Sequence, residues 1–132
     1  MVIGNGIDII EINRIATAMK RERFLTKNFS VAENAYFAKK QYTPSVVAVN
    51  FAAKEAFSKA LGTGICGFSL WEVEVLRDER GKPYLRLNGH AKKAAENAKV
   101  THWHVSLSHS RDYAIANVIA EQAECPKGCE EA

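Results

Sequence analysis

Apolar residues alternate in some stretches of this 132-residue chain and recur at helical spacing in others. Residues 2–10, rich in Ile and Val, predict a strand with Gly4, Gly6 and Asp8 on one face. An acid therefore stands beside two positions without side chains, a face cleared for a ligand or marking a bulge. Ile12, Ile15 and Met19 predict a helix over 11–22. Ser30 with Glu33 three residues later is a capping box, opening a second helix to about Lys40. Thr43-Pro44 starts a third, which carries Phe51, Glu55 and Lys59 and exits at Gly62-Thr63-Gly64.

Beyond the glycines the period changes. Residues 71–75 alternate as a half-buried strand, 78–83 form a turn, and 84–87 return as a hairpin partner. An alanine- and lysine-rich helix follows over 89–99, then strands at 102–109 and 112–120. Along the first of these strands His104, Ser106 and Ser108 share one face, while Val105 and Leu107 turn to the core. Parity places His109 on the apolar side, as a hydrogen-bonded core imidazole. Strands and helices in separate runs predict one α+β domain over 1–120 with a mainly antiparallel sheet. Residues 121–132 read as an acidic, cysteine-containing, flexible tail.

Composition narrows the class. Hydrophobic content of 47% with 25% charged residues fits a soluble globular domain, and no apolar run approaches the roughly 18–20 residues of a membrane span. Met1–Asp8 carries no basic leader, so the chain reads as cytoplasmic. Three cysteines, Cys66, Cys125 and Cys129, are too few and too scattered for a disulfide framework. The tail's net charge of −3 leaves +6 on the rest of a +3 chain. Much of that charge lies at Arg14, Lys20, Arg21, Arg23 and Lys27, around Phe24. A basic first third attracts something acidic: nucleic acid, an anionic membrane or an acidic protein.

The candidate chemistry centres on Glu55 and Lys59, four apart and so on one helix face. Such a pair is often only a solvated one, worth about 0.2–0.5 kcal/mol, until Asp8 joins it. Two carboxylates without nitrogen or sulfur partners suit a hard, partly hydrated ion, and Mg²⁺ is the natural occupant. Spacing for a nucleotide phosphate loop is missing at Gly62-Thr63-Gly64. His102-x-His104 would need a third ligand to hold zinc, and nothing resembles a nucleophile elbow.

Taken together, four motifs in order resemble the short, single-domain 4′-phosphopantetheinyl transferases that act on acyl carrier protein, over about residues 2–120. They are Gly6-Ile7-Asp8, the segment from Phe51 to Gly64, Gly81-Lys82-Pro83, and His104-Val105-Ser106-Leu107-Ser108-His109. The resemblance implies an enzyme of that fold moving the phosphopantetheine arm of coenzyme A, with Mg²⁺, to a serine of apo acyl carrier protein. It places the metal on Asp8 and Glu55, and a phosphate-facing cation at Lys59. Gly62, Thr63, Gly64, Lys82, Pro83, His104, Ser106 and Ser108 would lie around the coenzyme. Glu55 is the candidate base, with Asp8 as ligand. Arg14, Lys20, Arg21, Arg23 and Phe24 would receive the acidic carrier protein. A homotrimer with clefts between subunits is implied, with no role for nucleic acid or membrane.

One departure bears on specificity. In the family pattern an arginine often precedes the Phe of the central motif, with another basic residue about five positions earlier. Here Asn50 and Ser45 stand there. The 3′-phosphate of the coenzyme would then need Lys39, Lys40 or Lys82, and the expectation is a looser preference over 3′-dephospho-coenzyme A. The rival reading, a small basic nucleic-acid-binding module, needs neither Asp8 nor Glu55 and would weaken steeply with salt.

Overall fold

The computed structural model describes residues 1–123; Cys125, Cys129 and most of the acidic tail lie outside them. Strand β1 (Val2–Glu11) leads into α1 (Ile12–Ala18), α2 (Phe24–Asn28), α3 (Val31–Lys39) and α4 (Pro44–Leu61). A 3₁₀ turn at Leu70–Glu72 precedes the hairpin β2 (Val73–Arg77) and β3 (Pro83–Leu87). Then come α5 (Gly89–Asn97), β4 (His102–His109) and β5 (Tyr113–Glu121). The strands form an antiparallel three-stranded sheet, ordered β1-β5-β4, and the two-stranded β2-β3. The α+β reading is borne out, and the capping box at Ser30 and Glu33 is formed in both directions.

The long helix α4 lies across β1 and β5, and it can do so because both surfaces are small. Its Ala52, Ala53, Ala56 and Ala60 are buried, as are Ala114, Ala116 and Ala120 of β5. On β1 the matching positions are glycines. A Cβ at Gly6 would stand 2.0 Å from the Ala56 carbonyl oxygen, and one at Gly4 would stand 2.1 Å from that of Ala60. The bare face is therefore filled by a helix backbone rather than held open for a ligand, with a register shift between Val2 and Gly4. Because α4 sits this close, residues on its near side meet Asp8, the next residue along the same face of β1.

A second anchor for α4 is polar. Lys54 and Glu33 are fully buried and 2.6 Å apart. Lys54 Nζ also donates to the carbonyls of Leu70 at 2.9 Å and Val73 at 2.5 Å. The Glu33 carboxylate accepts from Ser30 N, Lys54 Nζ, Asn50 Nδ2 and Val75 N. Burial pushes the Glu33 pKa up and the Lys54 pKa down, and their mutual attraction opposes both. Three donated bonds require an ammonium and four accepted ones a carboxylate, so the pair is ionised.

Two local expectations are corrected. The helix expected over 11–22 stops at Ala18, and Arg23 takes a left-handed backbone (φ 71°) before the short α2. That break turns Phe24 back onto Phe51, ring centroids 6.0 Å apart and stacked. His109 is exposed, not a core imidazole. It has the parity of Val105 and Leu107 but ends its strand, where the core no longer covers that face.

Candidate active site

Asp8, Glu55 and Lys59 come from β1 and two successive turns of α4. Lys59 Nζ lies 3.0 Å from Asp8 Oδ1 and donates to the Ile7 carbonyl at 3.0 Å. The lysine thus pairs across to the strand rather than along its own helix. It is half exposed and Asp8 largely covered, at 53% and 17% of their side chains, so one ammonium proton can still serve an incoming anion. Partial burial raises the Glu55 pKa first, and the neighbouring Asp8 carboxylate raises it further. Lys59 and Arg14 act in the opposite sense. Two carboxylates that repel each other in this way favour a cation between them. The donor set is all oxygen, and among the described residues no group of three or more His, Cys, Asp or Glu side chains gathers. A hard ion that keeps room for water and substrate oxygens fits such a pair.

The Gly62-Thr63-Gly64 exit begins one turn beyond Lys59. Gly62 caps α4 in a left-handed conformation (φ 80°), and its N–H is bonded to the Ser58 and Lys59 carbonyls. All three residues are exposed.

On the other side of the carboxylates a cavity of about 450 Å³ is lined by Ile10, Arg14, Ile15, Arg21, Phe24 and Phe51, among others. The Arg21 guanidinium lies 5.7 Å over the Phe24 ring. Arg23 borders an adjoining hollow with Arg21, Phe24 and Lys27, and Lys20 is exposed at the end of α1. Arg14 belongs to this groove and also acts on Glu55, so the basic surface and the carboxylates are contiguous.

The remaining residues of interest lie elsewhere. Lys82, Pro83, Ser106 and Ser108 line a separate cavity of about 470 Å³ with Tyr36, Ser45, Arg77 and His109. It sits between β4, the β2-β3 hairpin and the start of α4, and does not include Asp8, Glu55 or Lys59. His104 faces out from the sheet, with Nε2 2.8 Å from Glu121 Oε1. Within one chain, then, the residues expected around the coenzyme fall into two groups. One is at edge strand β1 and the other at edge strand β4. Sequence reasoning missed Arg77, at the end of β2. Its signal was indirect: uncharged residues at 45 and 50 call for a cation from a distant stretch.

Comparison with known proteins gives the family. Residues 4–118 match the model of the 4′-phosphopantetheinyl transferase superfamily. The holo-[acyl-carrier-protein] synthase of Clostridium beijerinckii is 48% identical over 122 residues, spanning 92% of this chain and 98% of the relative. Among solved structures, the Neisseria meningitidis holo-[acyl-carrier-protein] synthase has a TM-score of 0.85 at 31% identity, covering 92% of this chain and all of that one. The Bacillus anthracis enzyme, in complex with CoA (3′,5′-ADP), has a TM-score of 0.77 at 38% identity, covering 93% and 99%.

Proposed function

The chain belongs to the 4′-phosphopantetheinyl transferase superfamily, in its holo-[acyl-carrier-protein] synthase family, and on that premise we propose the reaction it performs. It moves the 4′-phosphopantetheine arm of coenzyme A onto a serine of an apo acyl carrier protein and releases adenosine 3′,5′-bisphosphate. The observation that carries this reading is the meeting of Asp8, Glu55 and Lys59 beside a basic, aromatic groove.

Asp8 and Glu55 are the residues to hold Mg²⁺, which when bound supplies positive charge against the diphosphate. Lys59 turns its remaining donor to a phosphate oxygen, where charge builds as the bridge breaks. Glu55 takes the serine proton. Its raised pKa makes it a stronger base than an ordinary glutamate at neutral pH. The serine oxygen bonds to the β-phosphorus as the bond to the bridging oxygen breaks, and that electron pair leaves with the nucleotide. Gly62, Thr63 and Gly64 line the path of the arm, and the groove around Phe24 seats the acidic carrier protein beside Glu55. Lys82, Pro83, Ser106 and Ser108 receive the nucleotide, with His104 next to them along β4.

Assembly follows from the same division of the site. The sheet face away from α4 carries an isoleucine cluster, with Ile3, Ile7 and Ile9 exposed on β1 and Ile115 and Ile119 beside them on β5, interrupted by the hydrogen-bonded Asn5 and Asn117. An uncovered stripe of this kind marks an interface. In a homotrimer the β1 edge of one copy comes to the β4 edge of the next, and each cleft draws on two chains. Ile7→Asp is therefore expected to give folded monomers that have lost transfer. Light scattering after size exclusion, with circular dichroism, checks this; an active variant of unchanged mass would contradict it.

The decisive test is the intact mass of apo acyl carrier protein after incubation with this protein, coenzyme A and Mg²⁺. A gain of one phosphopantetheine, abolished by a chelator, is expected. An unmodified carrier overturns the reading.

A further inference from the structure

Resting on the transferase reading, we propose that Arg77 is the specificity residue for the coenzyme's 3′-phosphate, a dianionic monoester on the ribose. The guanidinium is held before any ligand arrives. Its Nη2 donates to Asn50 Oδ1 at 2.9 Å and its Nη1 to the Val75 carbonyl at 3.4 Å. The Tyr36 ring lies against it, 4.9 Å from carbon to centroid. Asn50 is itself buried and locked, donating to Glu33 Oε2 and to the Val75 carbonyl. With a further side-chain hydrogen bond to Tyr36, three of five N–H donors are engaged, leaving two in a fixed fork for an anion.

The charge here is not already cancelled. Among the described residues Arg77 takes part in no ion pair, and the nearby Glu33 is neutralised by Lys54. The cavity that Arg77 borders adds Lys82, His109 and the hydroxyls of Ser45, Ser106 and Ser108, and its lining includes no acidic residue. A cationic, hydroxyl-rich wall suits a phosphate monoester. The coenzyme's other phosphates are the reacting diphosphate, which belongs with Lys59 at the β1 edge.

This revises the expectation from the sequence. Positions 45 and 50 carry no charge, yet the Asn50 side chain recruits a guanidinium from β2 to the same wall. The preference for the phosphorylated coenzyme is then retained, not loosened.

The experiment compares kcat/KM for coenzyme A and 3′-dephospho-coenzyme A with the native protein, Arg77→Met and Arg77→Lys. The native protein is expected to prefer coenzyme A by about a hundredfold, the scale of a buried charged hydrogen-bonding site deprived of its partner. Arg77→Met should reduce that preference to a few-fold by losing rate only with coenzyme A, and Arg77→Lys should fall between. Both donors are measured on one preparation, so a partly unfolded variant leaves the ratio unchanged; the lysine variant serves should the methionine variant not fold. An unaltered preference in Arg77→Met, an equal loss on both donors, or no preference in the native protein overturns the assignment. No transfer by the native protein from either donor instead overturns the transferase reading itself.

Discussion

Glu55→Gln is expected to slow transfer to apo carrier protein by about a thousandfold, within the range for a lost acid-base group. Glutamine keeps the shape of the side chain but neither takes a proton nor lends negative charge to a cation. The fold should not suffer. A carboxyl whose folded pKa is raised is ionised at a cost to the native state, and that cost is present above its pKa. Removing the charge therefore leaves the denaturation midpoint unchanged or slightly higher. The same side chain sets the acid limb of the pH profile, because a base must be unprotonated and the rate climbs as pH rises through its pKa. Arg14 lowers that pKa, so Arg14→Met should raise it and move the limb to higher pH. Single-turnover rates across pH check both. A Glu55→Gln protein within tenfold of the native rate would rule out the proposed base.

Lys54→Met is expected to destabilise the protein by about 3–5 kcal/mol, the usual cost of stranding one member of a buried ion pair. At this chain length that lowers Tm by roughly 10–20 °C. The variant leaves Glu33 fully buried without its counter-charge and takes from the Leu70 and Val73 carbonyls their only side-chain donor among the described residues. Adding Glu33→Gln should recover part of the loss, since the stranded charge is gone. Calorimetry on the single and double variants measures it. A single variant within 1 kcal/mol of native, by the order-of-magnitude scale for such pairs, would show that the pair is not what anchors α4. Lys54 adjoins Glu55 in sequence and yet has no place in the chemistry.

That contrast shows what could be read from sequence and what could not. Period-two spacing located β1 and both strands after residue 100, because burial imposes that period directly, and Pro44 with the glycine exit bounded α4. The capping box fixed the start of α3 because its two bonds are local. Lys54 and Lys59 could not be told apart by spacing, since only the packing of α3 and the β2-β3 hairpin buries one and leaves the other at the strand. Gly4 and Gly6 were visible, but a missing side chain does not reveal whether a ligand or a helix backbone fills the space. The short α2 has no apolar period of its own and is set by the left-handed Arg23 and by Phe24 meeting Phe51. Arg77 lay between a strand and a turn, and its partners are 27 and 41 positions away in sequence. Asp8 with Glu55 was legible as chemistry, but their meeting depended on contacts spanning more than a third of the chain.

The two glycines of β1 tie stability to catalysis in an unforgiving way. A methyl group at Gly6 would collide with the peptide oxygen of Ala56, and no change of neighbouring side chain can carve room out of main chain. The helix would have to lift, and Glu55 and Lys59 ride on it. Compensating substitutions could restore the melting point of such a variant without returning its reactive groups to Asp8. A screen for thermal rescue would therefore recover folded proteins that are catalytically dead.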